Sequence, residues 1–298
     1  MTTVAEARAA LAARLREGGV AEPAEDARRL VAHALGIEPQ RLAVERDRHL
    51  TAAEADRLRD VERQRLAGRT VARIVGTRAF HDITLRVADD VLEPRDDTGV
   101  LVELTLPRLR AACERRGGAR LLDVGVGTGA VALALLAAEP RARGEGTDIN
   151  PSARRLAMAN AEALGLDRRF AIADGALFGA GRLAPYDLIV SNPPYVPSGE
   201  IAALAPEARA DPREALDGGA DGLDAYRALA REGARYLRAD GTLAVEIGAG
   251  QGADVRTIFV ADGWRAIGAA TDLAGRERAL AFLPGDPARG HDPDTTGD

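Results

Sequence analysis

The segment Asn192-Pro193-Pro194-Tyr195 has the residue types needed to hold a planar nitrogen group. It follows an apolar run, residues 186–190, that predicts a buried strand. Proline cannot donate to a strand ladder, so two consecutive prolines end the pairing and leave backbone carbonyls without their usual partners. Asn192 Oδ1 and the Pro193 carbonyl would then form a pair of acceptors for an –NH2 group, and Tyr195 would supply a flat wall. The alternative interpretation is a rigid loop with a packed tyrosine.

A glycine-rich turn is the second signal, and it lies between a predicted strand, residues 121–124, and a predicted helix, residues 130–138. Glycines let the backbone approach a ligand closely, and the start of a helix offers free N–H groups. The spacing is GxGxG, which differs from the GxGxxG pattern of dinucleotide sites. By itself it could be a tight turn without a ligand. The turn is Gly125-Val126-Gly127-Thr128-Gly129.

Two aspartates end the next two predicted strands. Asp148 could accept both hydroxyls of a ribose, and Asp174, followed by Gly175, could accept the amine of an adenine. Either aspartate alone could equally be a turn or cap residue, because Asp148 precedes Asn150 and Asp174 precedes a glycine. Ligands of open α/β sheets bind at the carboxyl ends of strands, where all three signals occur. The pattern predicts a ligand with adenosine but no diphosphate, which points to S-adenosylmethionine.

The elements that would position these residues fall into two classes. Up to about residue 75 the apolar spacing predicts amphipathic helices, and Thr51 with Glu54 forms a capping box before the third. Between residues 74 and 93 the period shifts towards two, which indicates a hairpin. A helix near residues 100–115 follows, and then apolar runs alternate with helical stretches, which is typical of a doubly wound α/β sheet. The runs cover residues 121–124, 144–147, 170–173, 188–190, 243–247 and 279–283.

Composition excludes several other classes. The chain has 298 residues, with 46% hydrophobic and 29% charged residues, as in ordinary globular proteins. One cysteine and four scattered histidines predict neither disulfides nor a metal site. A net charge of −6 and 3% aromatic residues argue against stable nucleic-acid binding. No apolar run is long enough for a membrane span or a signal peptide, so we expect a cytoplasmic protein.

The sequence resembles the class I S-adenosylmethionine-dependent methyltransferases with an Asn-Pro-Pro-Tyr motif. It is more similar still to the HemK-like enzymes, which methylate the side-chain amide of a glutamine in peptide-chain release factors. The resemblance implies a seven-stranded, mostly parallel, Rossmann-like sheet. It also implies that residues 125–129, Asp148 and Asn192 bind the cofactor and that residues 192–195 hold the amide. Its motifs are residues 73–76, 192–195, 215–219, 221–223, 246–251 and 275–278.

This resemblance predicts four segments along the chain. Residues 1–75 would be a helical domain that recognises the substrate, and residues 76–95 a hairpin linker. Residues 96–285 would be the methyltransferase domain. Residues 286–298 are rich in Gly, Pro, Asp and Thr and predict a disordered tail.

One segment departs from the family. Where the family pattern reads I-P-R-P-[DE]-T-E, this chain has Leu92-Glu93-Pro94-Arg95-Asp96-Asp97-Thr98-Gly99. The proline after Arg95 is lost, and a glycine stands in place of the closing carboxylate. Arg95 is still expected to contact substrate, but the change leaves the substrate open. A small-molecule N-methyltransferase of a biosynthetic pathway is therefore the main alternative. Methylation of adenine in nucleic acid and non-catalytic binding of S-adenosylmethionine are further alternatives.

Overall fold

The computed structural model describes residues 2–179 and 184–285, and for Asp174 the backbone alone. The chain divides into two compact units. The first contains the residues up to Thr77 together with Ala205–Ala210, and the second contains Arg78–Leu204 and the chain from Asp211 onward. The predicted tail, residues 286–298, lies outside the described residues.

The first unit is helical. Thr51 Oγ1 accepts from the Glu54 N–H while the Glu54 carboxylate accepts from the Thr51 N–H, which confirms the predicted capping box. Its apolar stripes meet in one core around Leu11, Leu30 and Val61. The helices are α1 Val4–Glu17, α2 Pro23–Leu35, α3 Ala52–Leu66 and α4 Val71–Val75, with α8 Pro206–Arg209 from the later part of the chain. The short helices α4 and α8 were not predicted.

The second unit begins with the predicted hairpin, β1 Thr77–Phe80 and β2 Ile83–Arg86, and continues as an α/β sheet. The predicted fold class is confirmed, since seven strands pair in the order β5-β4-β3-β6-β7-β9-β8. The first five are parallel, and β9 is antiparallel to both of its neighbours. The strands are β3 Ala119–Val124, β4 Ala142–Asp148, β5 Phe170–Asp174, β6 Tyr186–Ser191, β7 Leu237–Glu246, β8 Trp264–Thr271 and β9 Glu277–Pro284. Only β8 was not anticipated.

Helices cover both faces of this sheet. Neighbouring residues of a strand point to opposite faces, so an apolar side chain on either face needs a helix packed against it. Leu121 belongs to one apolar core, packed by α5 and α6, and Leu122 belongs to the other, packed by α9 and α10. The central strands are therefore buried on both sides, as their continuous apolar runs require. The helices are α5 Gly99–Arg116, α6 Ala130–Ala138, α7 Pro151–Ala163, α9 Asp224–Gly233 and α10 Gly252–Ala261.

Among the described residues, no helix combines the length and the apolar character that crossing a membrane requires.

Candidate active site

A cavity of about 240 Å³ opens at the carboxyl ends of β3, β4 and β6. After β3 the chain builds the sheet outward through β4 and β5 and then returns to place β6 on the other side of β3. Such a reversal of strand order leaves a crevice in which ligands of doubly wound sheets bind. The wall brings together residues from all three predicted segments: Gly125 and Gly127, Asp148, and Asn192 with Pro193 and Pro194.

The glycine turn presents backbone to this cavity. Gly127 has φ +53°, in the left-handed region that favours glycine, and its N–H donates to Asp148 Oδ2 at 2.9 Å. A Cβ built on Gly127 would meet no atom of the described residues within 4 Å, its chain neighbours aside. The turn therefore leaves a space beside its backbone that a ligand can fill.

Asp148 keeps hydrogen-bonding capacity for a ligand. Its Oδ2 accepts from Gly127 N–H and its Oδ1 from Asn150 N–H, at 2.9 and 2.8 Å. A carboxylate offers about four lone-pair sites, so two remain for donors in the cavity. Two adjacent hydroxyls, as on a ribose, match this arrangement.

A second carboxyl group lies under the turn. Asp123 is buried near the end of β3, and its Oδ2 accepts from the Ala132 N–H in the first turn of α6 at 3.1 Å. Burial raises the pKa of Asp123 to about 7, and the neighbouring charge of Asp148 acts in the same direction. Asp123 thus fixes the start of α6 behind the cavity wall.

Asn192 stands at the end of β6, which is tied to β3 by the Ser191 hydroxyl donating to the Val124 carbonyl at 2.7 Å. The side-chain Nδ2 of Asn192 donates to Thr98 Oγ1 at 3.3 Å. No donor among residues 2–179 and 184–285 hydrogen-bonds to its Oδ1, which leaves this acceptor available for a ligand.

Tyr195 is not among the described residues that line the cavity, so its expected role as a flat wall for the substrate stays a prediction. Burial raises the pKa of its hydroxyl to about 12, so it is neutral at physiological pH. Its carbonyl accepts from Gln251 Nε2 at 3.0 Å, and Gln251 Oε1 accepts from the Gly248 N–H at 3.0 Å. The next residue, Val196, exchanges backbone hydrogen bonds with Leu216 and Gly218. Residues 215–219 and 246–251 therefore brace the Asn-Pro-Pro-Tyr segment, a role that the sequence did not assign to them.

Gly222 packs closely against that segment. It has φ +76°, and a Cβ at this position would overlap the Tyr195 carbonyl oxygen. Only glycine fits here without moving the backbone.

Other predicted site residues lie away from the cavity wall. Val126 and Thr128 are buried, with Val126 packed on Gly146, and Gly129 precedes α6 as its N-cap. Arg95 forms an ion pair with the buried carboxylate of Asp211. These four remain predictions as ligand contacts.

The predicted adenine edge is only partly described. Gly175 is exposed with φ +118°, and the following residues Ala176 and Leu177 line the cavity. The side chain of Asp174 lies outside the described part of the chain.

Two family descriptions match the chain: "PrmC N-terminal domain" over residues 6–76 and "Methyltransferase small domain" over residues 102–217. The chain is 48% identical over 270 residues to the release factor glutamine methyltransferase of Rhodospirillum rubrum, covering 90% of this chain and 81% of that one. It is 43% identical over 272 residues to the enzyme of the same name from Agrobacterium fabrum, covering 90% and 93%.

A solved structure supports the fold alone. The hMettl16 catalytic domain in complex with MAT2A 3'UTR hairpin 1 aligns with a TM-score of 0.54 at 14% identity, covering 68% of this chain and 76% of that one.

Proposed function

This chain belongs to the family of release factor glutamine methyltransferases, and from that premise we propose that it methylates the side-chain amide nitrogen of a glutamine in a peptide-chain release factor. The methyl donor of this family is S-adenosylmethionine. The single observation that carries the proposal is the acceptor pair of Asn192 and Pro193 on the wall of a cavity that also contains Asp148.

The residues of the cavity suit the methyl donor. Asp148 would accept the two ribose hydroxyls with its remaining lone pairs, and the backbone of Gly125 and Gly127 would lie against the amino-acid part. Ala176 and Leu177 would line the adenine side. When bound, the donor supplies a methyl group on a positively charged sulfur, and loss of this methyl group leaves the sulfur as a neutral thioether.

The task of the protein is then to position a weak nucleophile. The lone pair of an amide nitrogen is delocalised into its carbonyl, so orientation towards the methyl group matters most, and such positioning can supply about 7–11 kcal/mol of the barrier. Asn192 Oδ1 and the Pro193 carbonyl would each accept one N–H of the glutamine amide. These acceptors would also stabilise the positive charge that grows on nitrogen. No strong base is needed before attack, because the proton leaves afterwards.

The altered segment before α5 has internal partners in the structure. Glu93 and Asp96, the two carboxylates that depart from the family pattern, pair with Arg78 at 2.8 and 2.9 Å. The substituted carboxylates therefore have a partner in the same unit. Their charge alone is no reason for a small-molecule substrate, which stays the second candidate. The cytoplasmic location and the absence of stable nucleic-acid binding remain predictions.

Labelled S-adenosylmethionine tests the proposal when it is offered with one of three acceptors: a release factor, adenine-containing oligonucleotides or a metabolite extract. We expect label in the release factor alone. Label only in the oligonucleotides or the extract would contradict the proposed substrate. Label in none of the three acceptors would contradict the proposed methyltransferase activity.

Asp148→Ala should weaken binding of S-adenosylmethionine at least about tenfold, because a hydrogen bond to a charged acceptor contributes about 1.5–3 kcal/mol. Titration calorimetry on the folded variant measures this. Asp167→Ala removes an exposed carboxylate beyond α7 and serves as the matched control, with affinity unchanged. Equal affinity in both variants would contradict the assignment of Asp148.

We further propose that the helical unit recognises the release factor. A chain starting at Arg78 should bind S-adenosylmethionine but lose methylation of the protein substrate. Its segment Ala205–Ala210 would also lose its partners in that unit, since Glu207 pairs with Arg65 at 2.6 Å and the Ala210 carbonyl accepts from Arg73. Full-length Glu207→Ala breaks the pairing alone and should stay active. Full activity of the shortened chain would show that the helices are not needed for recognition.

A further inference from the structure

A buried carboxylate stands beside Asn192 at the end of the neighbouring strand. Ser191 of β6 pairs with Val245 of β7, so Asn192 and Glu246 are each one residue further along adjacent parallel strands. Glu246 is 3% exposed, and its backbone carbonyl accepts from the Tyr226 hydroxyl at 3.0 Å. Its side chain is therefore buried next to the proposed amide site, and Glu246 is not among the described residues that line the cavity.

The surroundings of this carboxylate compensate its charge poorly. Asp97 before α5, Arg278 of β9, Tyr195 and Tyr226 are the charged and titratable groups that act on it. Arg278 is already shared between Asp97 and Asp272, both at 3.0 Å. Among the described residues no cation forms an ion pair with Glu246. Burial raises its pKa to about 7, and hydrogen bonds from Thr98 and Asn192 offset only part of this effect.

One oxygen of Glu246 has no partner. Its Oε2 is fully buried and forms no hydrogen bond to any atom of the described residues. A buried acceptor left unsatisfied lowers the stability of the folded state, and more so when it is charged. Because this unsatisfied oxygen does not stabilise the fold, the presence of a carboxylate at this position needs another explanation.

Hydrogen-bonding rules connect Glu246 to the orientation of Asn192. An ionised carboxylate only accepts, so it favours the NH2 end of the neighbouring amide over its oxygen. Thr98 Oγ1 accepts from that same Nδ2 at 3.3 Å. With the NH2 end held on this side, a flipped amide would bring Oδ1 against a negative charge.

We propose that Glu246 is a positioning residue that holds the Asn192 amide in the one orientation that leaves Oδ1 free to accept from the substrate amide. The proposal rests on the proposed function, since it assigns Asn192 as the acceptor. Glu246 acts through Asn192 and does not touch the substrate.

The protonation state of Glu246 then controls the site. A protonated carboxyl carries a donor, which can bond to Asn192 Oδ1 and withdraw it from the substrate. Because the carboxyl is protonated below its pKa, kcat should fall as pH decreases through about 7. Glu246→Gln cannot titrate, and its amide carries a donor as the protonated carboxyl does, so its kcat should stay level at a lowered value over about pH 6 to 9.

The first measurement is the pH profile of kcat at saturating S-adenosylmethionine for the wild type, Glu246→Gln and Asp123→Asn. Asp123 is the control because it is also buried with a pKa raised to about 7, but it lies under the glycine turn. We expect the acid decline in the wild type and in Asp123→Asn and its loss in Glu246→Gln. A level wild-type profile, or a decline that persists in Glu246→Gln, would overturn the proposal.

The second measurement needs no turnover. The side-chain NH2 resonances of Asn192 should shift with pH in the wild type, with a midpoint near the pKa of about 7, and stay constant in Glu246→Gln. Asn192 resonances that do not change with pH would contradict the coupling between Glu246 and Asn192.

Thermal stability gives a further check. A raised pKa of Glu246 in the folded state means that stability present at low pH is lost as pH rises through about 7, so Glu246→Gln should melt at a higher temperature than the wild type at alkaline pH.

Truncation separates positioning from structure. Glu246→Ala should lower kcat by about 10- to 100-fold with the KM for S-adenosylmethionine little changed, and Glu246→Gln should restore kcat only in part, because its amide keeps an acceptor for Asn192 Nδ2 but can also donate to Oδ1. Equal kcat in the wild type and Glu246→Ala would overturn the positioning role. If Asn192→Ala is fully active, the proposed function of Asn192 has failed. If Asn192→Ala is inactive but Glu246→Gln keeps the acid decline, only the role of Glu246 has failed.

Discussion

Replacing Asn192 with alanine is expected to lower kcat for methylation of a release factor by roughly two to three orders of magnitude. Loss of one preorganised hydrogen-bonding group in comparable sites costs about 2.7–4 kcal/mol of transition-state stabilisation. Affinity for S-adenosylmethionine should fall far less, because Asp148 and the glycine turn remain on the cavity wall. Steady-state kinetics together with titration calorimetry measure both effects.

Asn192→Asp refines this test, since it keeps an acceptor oxygen while adding charge and should retain part of the activity. Thermal melts of both variants provide the control. A purely structural role for Asn192 predicts that melting temperature and activity fall together. Normal melting with normal turnover in Asn192→Ala would remove the residue from the proposed site.

Gly222→Ala should have the second-largest effect, with activity lowered by about 100-fold. The added Cβ would overlap the Tyr195 carbonyl and lie 2.9 Å from Gln251 Nε2. Since that carbonyl belongs to the Asn-Pro-Pro-Tyr segment, relief of the clash must move the acceptors, and a displacement of about 1 Å can cost 10²-fold in rate. Turnover and calorimetric affinity for S-adenosylmethionine should therefore separate, as they do for Asn192.

Gly263→Ala is the matched control for this variant. Gly263 also has a left-handed φ, +84°, but within the described part of the chain a Cβ there would meet nothing within 4 Å. Both variants share the strain of a left-handed alanine, roughly 1 kcal/mol, and only Gly222→Ala adds the clash. Equal losses of activity in the two variants would mean that strain alone, and no displacement of the Asn-Pro-Pro-Tyr segment, explains the effect.

The sequence predicted the sheet well because its central strands are buried on both faces. Leu121–Leu122 and the run before Asn192 read as continuous apolar segments for that reason. The strand β8 was missed since Trp264–Thr271 lies at the edge of the sheet and is mostly half-buried or exposed. Residues 266–270 are also mostly alanine and glycine, which have a low preference for strands, so the sequence gives only a weak signal there. The helix α8 has only four residues, too few for a helical period.

The site residues that directly follow a strand could be predicted from the sequence. Those whose role depends on tertiary contacts could not. Asp148 and Asn192 follow strands directly, so topology alone brings them to one edge. The braces around Tyr195 depend on long-range contacts, such as Gln251 with the Tyr195 carbonyl. Spacing along the chain carries no information about such contacts. The position of Glu246 beside Asn192 likewise follows from the register between β6 and β7.

The most direct measurement is mass spectrometry of a release factor after incubation with S-adenosylmethionine and either the wild type or Asn192→Ala. We expect one added methyl group on the side-chain amide of a glutamine with the wild type, and almost none with the folded variant. A methyl group on any other atom, or equal methylation of the glutamine by both proteins, would contradict this expectation.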